Sequence, residues 1–199
     1  MAAFFSSLGR TITAGVVVLI VLVIILAAAG GKVSIDSKDW WFFALRWLHV
    51  TAGVMWIGLL WYFNFVQTPS MPKIPDPEKP AISKVIAPTA LFWFRWAAMA
   101  TIILGLLLAM IGGYLVQALT LQKPFTNIGI GAWLGTIMWF NVWFVIWPNQ
   151  KKALGIVTVD ATEKAAAAKR AGMASRINTM LSIPMLYFMV AQSHGGVTF

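Results

Sequence analysis

The chain has 199 residues, 60% of them hydrophobic and only 11% charged, with a mean hydropathy of +0.81. A soluble domain of this size carries far more charge, so composition predicts a single all-α integral membrane domain over 1–199 with lipid on its outer surface. The net charge of +9 is spread over the connections between apolar runs and forms no aromatic-interleaved groove, which argues against nucleic acid as a partner. No Cys is present, so iron–sulfur clusters, thiolate metal sites and covalently attached haem c are excluded.

About five transmembrane helices are expected in chain order. Residues 11–30, TITAGVVVLIVLVIILAAAG, have the look of a signal peptide but are also long enough to span, and are expected to stay as the first helix. The second span is expected over 40–66, followed by a loop over 68–88. That loop holds Pro69, Pro72, Pro75, Pro77, Pro80 and Pro88, and is expected to be extended and outside the membrane. The third and fourth spans are expected over 91–115 and 128–147, with Pro148 closing the latter.

Asp160 and Glu163 have the spacing of a helix cap and its reciprocal partner. They predict a cytoplasmic helix over 161–176 that runs into a fifth span over 177–193. Pro184 is expected to kink that span unless neighbouring side chains absorb the lost hydrogen bond. Lys and Arg concentrate at the N-terminus and in the second and fourth connections. The positive-inside rule then puts the N-terminus in the cytoplasm and the C-terminus in the periplasm of a bacterial inner membrane.

Two histidines occur, His49 and His194. An ionisable side chain inside a span usually faces a partner, a cavity or a cofactor, although an imidazole bonded to a neighbouring carbonyl is an equal alternative for His49. Gly53 and Trp56 follow His49 on one helix face. Gly53 removes bulk beside the imidazole, as a flat macrocycle would need, though a close helix contact also explains it. With the inferred orientation both histidines lie toward the outer half of the membrane, and with no thiolate available they are candidate axial ligands of a b-type haem. Arg46, one turn before His49, is placed to pair with a propionate or to reach the headgroups. Arg95 is expected to snorkel or to bond to another helix, and Asn141 to bond across helices. All six acidic residues fall in connections or at their edges, which argues against a carboxylate proton path.

Four segments resemble the membrane portion of bacterial cytochrome-c-linked urate oxidase, in the order seen there. They are RWLHVTAGVMWIG at 46–58, FWFRWAAMATIILGLLL at 92–108, TIMWFNVWFVIWPNQKK at 136–152 and SRINTMLSIPMLYFMVAQSH at 175–194. The first block also looks like copper-resistance-type membrane proteins and the membrane protoporphyrinogen oxidase group. The resemblance implies a helical domain in redox chemistry that passes electrons to a cytochrome c domain, with His49 and His194 matching histidines of the first and last blocks. It covers the N-terminal membrane portion of such a protein only: relatives carry a C-terminal cytochrome c domain, and this chain has no C-x-x-C-H. Further histidines of the family are missing here, with Arg176 and Asn178 near one of their positions.

Three functions follow as expectations. The first is a haem-b-type electron-transfer or redox-anchor subunit, working with other membrane subunits or a cytochrome c. The second is a cofactor-free accessory subunit of a larger membrane complex. The third is a membrane oxidase of a small heterocycle such as urate, for which no catalytic base is found among the spans.

Overall fold

In a computed structural model the described residues are 5–197; the ends of the expected 1–199 domain, residues 1–4 and 198–199, lie outside them. Among the described residues every regular element is helical. We name them α1 (Leu8–Ala28), α2 (Lys38–Lys73), α3 (Lys79–Gly112), α4 (Leu115–Leu119), α5 (Thr126–Ala153) and α6 (Ala161–His194). Four of them, α1, α2, α3 and α5, are long and apolar enough to cross a membrane. The segment expected as a fifth span is the second half of α6, whose Asn, Gln, Ser and Pro residues make it more polar than the other four.

The chain divides into two compact units, the first ending at Trp41 and the second starting at Phe42. In the first, α1 is an almost unbroken run of Val, Ile and Leu. Gly31 N–H closes the turn after it on Leu26 O at 2.9 Å. Ser37 then caps the next helix, its hydroxyl accepting from Trp40 N–H at 3.1 Å, which satisfies one of the first-turn amides that have no partner within the helix.

The expected proline-rich loop over 68–88 is corrected by the structure. Helix continues to Lys73 and resumes at Lys79, leaving only 74–78 as the connection. The physical reason recurs three times. Wide π turns at Tyr62–Gln67, Ile82–Ile86 and Asn141–Ile146 end two residues before Pro69, Pro88 and Pro148. A proline ring clashes with the carbonyl four residues back and supplies no N–H. One extra residue in the preceding turn shifts the bonding to i→i−5, as in Thr68 N–H to Phe63 O, and absorbs both defects. Pro184 is tolerated without such a turn, inside the continuous 34-residue α6.

In the second unit α2, α3, α5 and α6 share one core. It is built from Trp56, Leu60 and Phe63 of α2, Leu91, Phe94 and Ala98 of α3, Met138, Val142 and Ile146 of α5, and Met185 of α6. Small residues let α5 and α6 approach closely: a Cβ added at Gly131 would lie 3.2 Å from Met189 N. A polar seam crosses this core. Asn178, fully buried, donates to Met138 O at 2.8 Å and accepts from Asn141 Nδ2 at 2.9 Å. Asn64 Nδ2 donates to Ser175 Oγ at 2.8 Å and Trp61 Nε1 to Ser182 Oγ at 2.9 Å. The expectation that Asn141 bonds across helices is thus met. Around this core the outward side chains include Trp93, Trp96, Phe140, Phe144 and Ile183, all exposed.

The termini of the helices are fixed by local chemistry. Gly113, at φ 75°, ends α3 in the left-handed conformation, its N–H on Met110 O while Tyr114 N–H reaches Ala109 O. Asp160 caps α6 as expected, accepting from Glu163 N–H at 2.8 Å. The Glu163 carboxylate does not return to the cap. It accepts instead from Lys152 Nζ and Arg170 Nη2, each at 2.7 Å, and these two hydrogen bonds hold it below the usual carboxylate range.

Candidate functional site

Arg46, His49, Gly53 and Trp56 follow one another along α2 at spacings of three, four and three, which keeps them on one face. His49, half-buried, meets α3: its Nδ1 lies 2.8 Å from Thr101 O. A carbonyl oxygen only accepts, so Nδ1 carries the proton and a neutral ring leaves the Nε2 lone pair free. The ring is wedged against Gly105, where an added Cβ would lie 2.9 Å from Cε1 and 3.1 Å from Nδ1. Gly53 sits on the same contact, with Thr101 Cγ2 3.9 Å from where its Cβ would be. That is ordinary van der Waals distance, so the contact with α3 does not itself demand a glycine here.

Trp56, one step further, is 1% exposed in the core, and its Nε1 has no hydrogen-bond partner among the described residues. Arg46 is exposed, its guanidinium 4.5 Å above the Phe42 ring. A guanidinium stacked in this way keeps its in-plane donors available.

His194 closes α6. It is exposed, and its Nδ1 lies 3.2 Å from Val190 O, again leaving Nε2 without a bond. Two residues earlier Gln192 ties this end of α6 to the start of α5. Its Oε1 accepts from Ile128 N–H at 3.0 Å and its Nε2 donates to Pro124 O at 3.1 Å. The structure thus gathers His49 and Gly53 with Thr101 and Gly105. It shows no hydrogen bond or ring contact between His49 and His194 among the described residues. Sequence reasoning missed Thr101 and Gly105, since a backbone carbonyl and a glycine carry no side-chain signal; the LGLLL run inside the third span was the available hint.

Arg95 departs from both expectations. It is 9% exposed, stacks on Trp147 with 3.4 Å from Cζ to the ring centroid, and its Nη1 has no hydrogen-bond partner among the described residues. The indole face stands where the headgroups or a hydrogen bond to another helix were expected. No cluster of three or more His, Asp or Glu side chains able to hold a metal ion occurs among the described residues.

Residues 116–199 match the family model described as urate oxidase N-terminal. This bears out the resemblance over that region. The matched region contains His194 and the 136–152 and 175–194 blocks; the blocks with His49 and Arg95 precede it. Neither the curated proteins nor the solved structures include a match to the chain.

Proposed function

We propose that this chain is a redox subunit of the bacterial inner membrane, related to the membrane part of urate oxidase, that binds a b-type haem through His49 and His194. The reading has the N-terminus in the cytoplasm, five spans including the second half of α6, and a cytochrome c or another membrane subunit as electron partner. One observation carries it: His49 is clamped at Nδ1 by the Thr101 carbonyl and at its edge by Gly105, with Nε2 left free. That is how a protein fixes the tautomer and direction of a metal-ligating imidazole. His194 shares only the Nδ1 contact, toward Val190 O of its own helix at 3.2 Å. Both histidines therefore fit the group as individual ligands.

Haem bound here would supply a one-electron carrier. The chain's own residues do the rest. Thr101 holds the His49 ring in one rotation, Arg46 offers in-plane donors for a propionate, and the apolar core around Trp56 keeps water from the inner side of the site. Haem content measured by extraction, beside the gel-filtration profile, tests the reading. Haem is expected in the wild type and lost in His49→Ala with the elution position unchanged.

A second reading, a cofactor-free accessory subunit, is favoured by the exposure of His194 and by the absence, among the described residues, of a hydrogen bond between it and His49. It predicts a haem-free wild type whose association with a larger complex survives His49→Ala.

A further inference from the structure

A groove of about 540 Å³ runs in the second unit between the end of α2 and the outward face of α6, with Asn64, Thr68, Lys169, Gly172 and Arg176 among its walls. Lys169 and Arg176 are two helical turns apart on the same face, about 10 Å along the axis. Neither takes part in an ion pair among the described residues; of the two carboxylates near the start of α6, Glu163 is already shared by Lys152 and Arg170, and Asp160 accepts from Glu163 N–H as the helix cap. Between the two cations Gly172 leaves the helix bare: nothing lies within 4 Å of where its Cβ would be.

The face changes character further along α6. Met173, Met180, Ile183 and Tyr187 continue the same stripe, and all are exposed. From Arg176 to Tyr187 is about 16 Å of helix, close to the ~15 Å depth of one leaflet of a bilayer whose hydrocarbon core is ~30 Å thick.

We propose that this groove binds an anionic phospholipid, its phosphate between Lys169 and Arg176 and an acyl chain along the Met173–Tyr187 stripe. Two cations without a carboxylate form an anion site, and a guanidinium matches the paired oxygens of a phosphodiester. A choline or ethanolamine lipid brings its own positive charge against Lys169, which disfavours it. Free phosphate gains nothing from the apolar stripe. The inference rests on the membrane placement proposed above and not on haem.

The test uses the full chain in a neutral detergent, with thermal unfolding followed during titration with phosphatidylglycerol, phosphatidylcholine or inorganic phosphate. Phosphatidylglycerol is expected to raise the unfolding midpoint, and the other two to leave it in place. Lys169→Gln/Arg176→Gln should weaken the phosphatidylglycerol effect about 30-fold in concentration, the loss expected for two surface cations. Lys73→Gln/Lys84→Gln, which removes two cations outside the groove, should not. Gly172→Leu fills the groove without changing charge and should also abolish the shift. Equal response to phosphatidylcholine, the same shift from inorganic phosphate, or full retention of the shift in either groove variant overturns the proposal. Recovery of the wild type from the soluble fraction without detergent would instead overturn the membrane placement.

Discussion

His49 and Gly105 meet so closely across α2 and α3 that a Cβ on residue 105 would stand 2.9 Å from the imidazole Cε1. Real Cβ atoms do not approach that near, so the ring must move. Gly105→Ala is expected to tilt the imidazole off the Thr101 carbonyl and to cost about 1–3 kcal/mol of stability, the range for overpacking a well-filled contact. Thr101→Val is the control: the bond from His49 goes to the backbone carbonyl, while the Thr101 hydroxyl donates to Ala97 O at 2.7 Å. Thermal unfolding in detergent should show the alanine variant clearly less stable than the valine variant. The reverse order would mean that the ring does not depend on this notch.

Asn178 joins α5 and α6 through both ends of its amide, to Met138 O and from Asn141 Nδ2. Asn178→Ala removes both bonds from a site with no exposure, and is expected to cost about 1–2 kcal/mol. Asn141→Ala should add less in the Asn178→Ala background than alone, because the bond between them is already gone. Unfolding of the two single variants and the double variant checks this, and strict additivity would contradict it.

Glu163 gathers Lys152 from α5 and Arg170 from α6, and its carboxyl is held below the usual range, first by the hydrogen bond from Lys152 and then by that from Arg170. A depressed folded value means that the stabilisation is present above the unfolded value near 4.3 and is lost as pH falls through the folded value. Proteolysis at 154–160 should therefore be flat from about pH 7 to 5 and increase only below about pH 4. Glu163→Gln should raise cleavage at neutral pH and remove the acid dependence. An unchanged acid profile in the variant would assign the effect to another group.

The long helices were legible because they are rich in apolar residues, so α1, α2, α3 and α5, each long and apolar enough to cross a membrane, stand out by composition. The proline-rich run was misread for a definite reason. Pro69 and Pro88 look like helix breakers, but π turns ahead of them supply the missing room; Pro72 lies in the tight 3₁₀ turn Met71–Lys73 that ends α2, and Pro80 sits in the first turn of α3, where no N–H is needed. His49 was legible as an ionisable group within a span. Its true neighbours were not, since Thr101 acts through its main chain and Gly105 by lacking a side chain, both more than 50 residues away. Arg95 was placed in the right span but given the wrong surroundings, because its partner Trp147 comes from a different helix.

The reduced-minus-oxidised absorption spectrum of the purified chain, expressed with ample haem, tests the central claim most directly. Bis-imidazole ligation by His49 and His194 predicts a sharp α-band in the wild type that disappears in His49→Ala and in His194→Ala alike. A wild-type spectrum without that band, or a band that survives His49→Ala, would contradict it.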